Sequence, residues 1–217
     1  LGTVVGYLGD HEKAERYLKE SLKLNESVGN RQRDVHSYSA LALTYIQQEQ
    51  FDKAHEHSEA ALQVAQELDM TSLLGLALKL KGVALEGIGR FEDAKQVYMQ
   101  ALDLERELKE EHLIAETLAG LTRVALHNNE SDKTIEYVNE IIERLETHST
   151  QGLHEPIRVM LTCYDTLIGE DEDRAKDILQ KACNEIKKQL ELILDAKLKQ
   201  SYAQIPTHKR ILELGCQ

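Results

Sequence analysis

The sequence predicts an all-α fold, a right-handed α-solenoid of about five helical hairpins closed by a C-terminal capping helix. Three observations support this prediction. A short motif recurs about every 40 residues along the 217-residue chain. The chain contains two prolines and 5% aromatic residues in a background rich in leucine, alanine, glutamate and lysine, which is typical of an almost entirely helical protein. Apolar residues also return at steps of three and four, the spacing of one helix face.

The recurring motif is a short turn followed by a charged pair and a small residue. Its five copies end at Ala14, Ala54, Ala94, Thr134 and Ala175, so the spacings are 40, 40, 40 and 41 residues. A fixed period of this size is typical of solenoids, in which each unit buries its apolar face only against its neighbours. The predicted repeats span residues 1–30, 31–70, 71–110, 111–150 and 151–198, and a tail follows at 199–217.

Each repeat is predicted to contain two helices. In the second repeat, Val35, Leu41 and Tyr45 mark one face of a first helix. A break at Glu49 separates it from a second helix that begins at Phe51. Further helices are predicted near residues 72–88, 91–108, 112–128, 131–147, 153–168 and 172–198.

Small residues are expected where the two helices of a repeat cross. Twelve residues separate two small positions in each of the first three repeats, and small side chains let helix backbones approach closely. These pairs are Gly2 with Ala14, Ala42 with Ala54, and Gly82 with Ala94.

The second repeat resembles the tetratricopeptide repeat family, in its longer 40-residue form. The residues that carry the resemblance are Tyr38, Leu41, Ala42, Tyr45, Phe51, Ala54 and Ala61. The likeness extends over about residues 1–190, although the fourth repeat has Thr122 and Thr134 at the small positions and the fifth has Cys163. Membership would imply a non-catalytic solenoid whose first helices line a concave groove that binds a protein or peptide.

The tail resembles the end of the repeat regions in large bacterial signalling ATPases, nucleotide cyclases and transcriptional regulators. The similar stretches are 195–202 and 205–212. Pro206 is expected to begin a short helix, and Ile211, Leu212 and Leu214 are expected to cover the end of the last repeat. This resemblance implies that the chain is part of a longer polypeptide with an ATPase, cyclase or DNA-binding part upstream.

The family resemblance also implies which side chains face the groove. We expect the partner-binding residues to be His36, Ser39, Leu43, Gln47, Lys79, Val83, Glu86, Glu116, Arg123, His127, Met160 and Tyr164. The alternative is that apolar members such as Leu43 and Val83 simply pack within the array. Ser39, Leu43 and Gln47 occupy positions where chaperone-binding relatives carry a carboxylate clamp, so binding of chaperone tails is not expected.

Other functional classes find little support in the sequence. With 38 acidic and 26 basic residues the net charge is −12, which disfavours binding to a phosphate backbone. No apolar stretch approaches the length of a membrane span. The three cysteines are far apart and odd in number, so neither a disulfide framework nor a zinc site is predicted, and a cytoplasmic location is expected. No motif of a catalytic, metal or cofactor site is present.

The sequence therefore predicts a protein-interaction and regulatory module of a larger, bacterial signalling or transcription-regulating protein, with self-association as a further possibility. The competing interpretation is a spacer or oligomerisation scaffold that binds no ligand. An unrecognised hydrolase or metalloenzyme is a third hypothesis, which would require bound metal in the purified protein.

Overall fold

The computed structural model describes residues 1–148, 150 and 152–215, and every element in this part of the chain is an α-helix. The chain divides into two compact units, Leu1–Ala101 and Leu102–Gln217, which are described separately. The helices are α1 (Gly2–Tyr7), α2 (His11–Val28), α3 (Gln32–Gln47), α4 (Phe51–Glu67), α5 (Thr71–Ile88), α6 (Phe91–Glu107), α7 (Glu111–His127), α8 (Ser131–His148), α9 (Pro156–Leu167), α10 (Glu172–Leu192), α11 (Ala196–Gln204) and α12 (Pro206–Gly215).

In the first unit the helices form hairpins arranged in two layers. Helix α3 packs against α2 and α4, and α4 also packs against α5. The first helices of successive repeats, α1, α3 and α5, lie next to one another and form one layer. This arrangement confirms the predicted all-α class built from helical hairpins.

The second unit repeats the same arrangement and adds a C-terminal extension. Helix α7 pairs with α8, α9 pairs with α10, and the first helices α7 and α9 touch each other. Helix α12 packs against both α9 and α10, and α11 lies between α10 and α12 in the chain. The tail therefore contains two helices where the sequence predicted one capping helix.

Left-handed backbone positions set the period of the chain. From residue 9 to residue 129 they recur every 20 residues, once in each connection between helices. After Tyr45, for example, the N–H groups of Glu49 and Gln50 donate to the carbonyls of Ile46 and Tyr45 at 3.0 and 2.9 Å, which ends α3 with a Schellman-type turn. The left-handed residues of this series are Gly9, Gly29, Glu49, Asp69, Gly89, Lys109 and Asn129, and Gly152 and Gly169 follow at other spacings.

The helix crossings use the small residues that the sequence singled out. A Cβ atom added to Gly2 would lie 2.8 Å from Cγ of Leu18, so only glycine fits there without a shift of the leucine. Ala14, Ala42 and Ala54 are completely buried. These residues allow the helices to approach closely. The first helices can then lie side by side, and their outer faces can form a continuous surface.

Two helix boundaries differ from the sequence prediction. Helix α9 begins at Pro156 rather than near residue 153, because proline suits the first turn of a helix and Glu155 precedes it as the cap. Helix α10 ends at Leu192 rather than near residue 198. The backbone is extended at Ile193, and the side chain of Asp195 then accepts a hydrogen bond from the N–H of Leu198 at 2.9 Å, which starts α11.

Two of the cysteines are completely buried. Cys163 is free, and burial raises the pKa of its thiol to about 12. Cys183 lies on α10. Cys216 lies outside the described residues.

Candidate protein-binding surface

In the first unit, the predicted contact residues lie on the adjacent helices α3 and α5. They are more buried than a fully open groove would leave them. His36 is exposed and Glu86 is half-buried, whereas the other five are buried. Those five are Ser39, Leu43, Gln47, Lys79 and Val83.

Two buried polar groups on α3 have no hydrogen-bond partner within the described part of the chain. They are Oγ of Ser39 and Oε1 of Gln47, and their residues are 4% and 8% exposed. Buried polar side chains are normally hydrogen-bonded, because leaving one unpaired costs about 1–3 kcal/mol. Both oxygens can therefore still accept a hydrogen bond.

The polar residues of α5 are held in place by their neighbours. The hydroxyl of Tyr98 donates a short hydrogen bond to the Glu86 carboxylate. Lys79 is 4% exposed and also interacts within the chain. These contacts fix the orientation of the α5 side of the face, so a partner would meet a preorganised surface there.

In the second unit, two of the predicted contact residues serve the fold instead. One carboxylate oxygen of Glu116 accepts a hydrogen bond from the backbone N–H of Glu155 at 2.6 Å, and the other lies 3.4 Å from Nδ1 of His154. Arg123 donates to Oγ1 of Thr162 at 3.0 Å, which joins α7 to α9. Both interactions connect helices of successive repeats.

The remaining predicted residues of the second unit differ in their exposure. His127 is exposed, and Tyr164 is 8% exposed. Met160 is buried and lines a cavity whose other walls come from α8 and α10, the second helices of their repeats. The sequence pattern did not predict this cavity.

Sequence reasoning also missed the role of His57. Its ring stacks on the rings of Tyr38 and Tyr45, with centroid distances of 6.0 and 5.3 Å. Burial lowers its pKa below the ordinary value. This contact could have been predicted from the position of His57 on α4, opposite the aromatic residues of α3.

The described residues offer no arrangement for metal chemistry or membrane insertion. No group of three or more histidine, cysteine, aspartate or glutamate side chains among residues 1–148, 150 and 152–215 could hold a metal ion. Within the same ranges, no helix combines the length and apolar character needed to cross a bilayer.

Comparison with known sequences points to one family. Residues 1–67 and residues 77–108 each match a sequence profile described as Tetratricopeptide repeat. The human SH3 domain and tetratricopeptide repeat-containing protein 2 is 31% identical over 113 residues. That match covers 52% of this chain and 9% of the human protein's length.

Three solved structures share the fold. A Rap protein complexed with Competence and Sporulation Factor has a TM-score of 0.64 at 16% identity, over 98% of this chain and 61% of that one. The apo form of RapI has a TM-score of 0.62 at 14% identity, over 99% of this chain and 63% of that one. BtubC from P. vanneervenii has a TM-score of 0.60 at 17% identity, over 94% and 87% of the two chains.

Proposed function

Because the chain is a tetratricopeptide repeat protein, we propose that it is a protein-interaction module that binds a peptide segment of a partner on the face of α3 and α5. Tetratricopeptide repeats form interaction scaffolds rather than catalytic sites, and both profile matches include residues of this face. The occupant that we propose is an extended peptide.

The unpaired acceptors of Ser39 and Gln47 carry the proposal. They are eight residues apart on one helix, which is about 12 Å at 1.5 Å per residue. An extended peptide covers about 3.3 Å per residue, so N–H groups three or four residues apart on it match the spacing of the two acceptors. Since both acceptor atoms are buried in the free chain, each side chain would rotate outward to meet the peptide. Each new hydrogen bond would remove the cost of a buried unpaired group.

Apolar side chains supply the rest of the surface. Leu43 lies between the two acceptors on α3, and Val83 lies on the neighbouring helix α5. We propose that one apolar side chain of the peptide packs on this pair. Lys79 and Glu86 on α5 would then contact polar groups at either end of the bound segment.

A structural relative supports this reading at the level of the fold. The Rap protein of similar structure was solved in complex with Competence and Sporulation Factor, so a protein with this fold can hold a separate factor. At 16% identity the likeness concerns the fold alone. The binding residues proposed for this chain rest on its own unpaired groups.

The cellular role of the module is also a proposal. We propose a regulatory role in the cytoplasm, within a bacterial signalling or transcription-regulating protein, on the basis of the tail at 195–202 and 205–212. Self-association is the competing role. Sedimentation of the purified chain at several concentrations would separate a stable dimer from a monomer that binds a peptide.

A peptide selection tests the proposed site. Peptides of about twelve residues selected from a displayed library against the whole chain should bind with saturable affinity. The double variant Ser39→Ala with Gln47→Leu should weaken them about thirtyfold, since each of the two lost hydrogen bonds is worth roughly 1 kcal/mol. The matched control is Ser58→Ala, because Ser58 is also buried but donates to the carbonyl of His55 at 2.9 Å.

The two variants should also differ in stability. The Ser39 and Gln47 changes remove unpaired groups and should raise the unfolding midpoint, whereas Ser58→Ala removes a hydrogen bond and should lower it. Peptides whose affinity is the same for the wild type and the double variant would refute the proposed site.

A further inference from the structure

A cavity between α8 and α10 in the second unit has no role in the proposed function. Its volume is about 370 Å³, and its apolar walls are formed by Ile142, Leu145, Met160 and Ile178. Sites that hold ligands in proteins usually measure about 300–1,000 Å³, so this cavity has room for one or two side chains.

In the preceding repeat, the first helix begins with two buried apolar side chains. Helix α7 begins at Glu111, and its first turns carry Leu113 and Ile114, which are 7% and 0% exposed. Arg144 of α8 covers this turn by donating to the Glu111 carboxylate. The residue equivalent to Arg144, 41 positions later, is Glu185, which lines the cavity.

The last repeat lacks the helical turn that would fill the cavity. Helix α9 has 12 residues where α7 has 17. With the 41-residue spacing between the last two repeats, the positions that correspond to Leu113 and Ile114 are His154 and Glu155, before the helix begins. Neither of these two residues lines the cavity.

The segment before α9 is held on α7 instead. Glu116 accepts the hydrogen bond from the Glu155 N–H, and His154 faces the same carboxylate. Gly152 packs so closely on His112 that a Cβ atom would lie 2.8 Å from the histidine Cδ2. Neither Gly152 nor His154 lines the cavity between α8 and α10, so among these described residues none fills the space that we assign to an outside occupant.

We propose that this cavity is a docking site for one helical turn of a partner protein, which inserts a branched apolar side chain where the preceding repeat uses Ile114. Charged residues at the two edges of the cavity favour a partner with complementary charges. Glu146 on α8 and Lys188 on α10 are exposed, and neither has an ion pair with another described residue. The partner turn should therefore carry a basic residue toward α8 and an acidic residue toward α10.

This site is independent of the face on α3 and α5. It lies in the other compact unit and is built mainly from second helices. A failure of peptide binding at Ser39 and Gln47 would leave this proposal intact, and the reverse also holds.

The test uses a probe taken from the chain itself. The probe is a stapled helical peptide with the sequence of residues 109–121, labelled for fluorescence anisotropy, because this segment carries the Leu113 and Ile114 pair. A second peptide with Leu113→Asn and Ile114→Asn is the control. The first peptide should bind the whole chain saturably, and the second should bind at least about tenfold more weakly.

Three variants of the protein locate the binding. Leu145→Trp should fill the cavity and weaken binding at least about tenfold. Lys188→Glu should weaken binding roughly threefold by reversing a rim charge, while Lys187→Glu, the same change one residue away on the exposed surface, should have no effect. Circular dichroism would verify that each variant is folded.

The proposal is overturned by any of three results. These are the absence of saturable binding up to about 1 mM peptide, binding that Leu145→Trp and Lys188→Glu leave unchanged, or an equal loss with Lys187→Glu.

Discussion

The ring of Tyr98 lies directly against the backbone of Gly82, so that a Cβ atom on residue 82 would be 2.5 Å from Cε1 of the tyrosine. Tyr98 is completely buried, and its hydroxyl is held by Glu86 one turn further along α5. The ring therefore cannot move away without breaking this bond. Gly82 consequently sets the distance between α5 and α6 within the first unit.

Gly82→Ala should destabilise the protein. In an open helix position this change stabilises by about 1 kcal/mol, but overpacking a core costs about 1–3 kcal/mol. Urea unfolding should show a net loss of roughly 2 kcal/mol. The double variant with Tyr98→Leu should recover most of that loss relative to Tyr98→Leu alone, and a purely additive result would contradict the contact.

Glu49→Gly should stabilise the protein. Glu49 has a φ of 57°, a left-handed conformation that costs a residue with a side chain about 1 kcal/mol relative to glycine. The equivalent turn positions at 9, 29 and 89 already carry glycine. Thermal unfolding should show a gain of about 0.5–1 kcal/mol.

The control for Glu49→Gly is Glu56→Gly, in the exposed interior of α4. There the same substitution should cost about 1 kcal/mol, because glycine disfavours a helix. A loss of stability at both positions would show that the left-handed turn at residue 49 carries no strain.

Acid should weaken the packing of the C-terminal helices through His208. Burial lowers the pKa of His208 from 6.5 to about 4. Between these two values the unfolded chain binds more protons than the folded one, so stability is complete above pH 6.5 and falls as the pH drops toward 4. At about pH 5 the loss should be roughly 2 kcal/mol.

The matched variants are His208→Asn and His36→Asn. Asparagine can donate to the carbonyl of Tyr202 as Nδ1 of His208 does at 3.0 Å, yet it does not titrate. His208→Asn should flatten the decline in urea stability between pH 7 and 5, and the change at exposed His36 should not. An unchanged decline in His208→Asn would contradict the assignment.

Glu116→Ala should release the segment before α9. The amide of Glu155 donates to the buried Glu116 carboxylate, so its hydrogen exchange should accelerate at least about tenfold when that acceptor is removed. Glu111→Ala, on the exposed first turn of α7, is the control. Equal protection of the Glu155 amide in both variants would show that Glu116 does not hold the segment.

The sequence predicted the helix pairs well because local rules determine them. The 40-residue spacing of turns and the small residues at crossings are visible in the chain itself, and the structure has a left-handed turn residue at the end of α3, α5 and α7. The late start of α9 could have been predicted in part from the sequence, since Pro156 favours the first turn of a helix.

The features that escaped prediction depend on contacts between distant residues. Glu116 and Glu155 are 39 residues apart, and no periodic pattern reveals that one accepts a hydrogen bond from the other. The unpaired oxygens of Ser39 and Gln47 likewise become apparent only when every neighbour of α3 is in place. The cavity beside Met160 follows from a missing helical turn, which a scan for similarity between repeats does not detect.

The most direct test of the central proposal is a methyl NMR titration of the whole chain with a library-selected peptide. If the peptide binds the face of α3 and α5, the methyl signals of Leu43 and Val83 should shift saturably. The methyl signals of Ile141 and Ile186, which are buried in the second unit, should remain in place. Saturable shifts that leave Leu43 and Val83 unchanged would contradict the proposal.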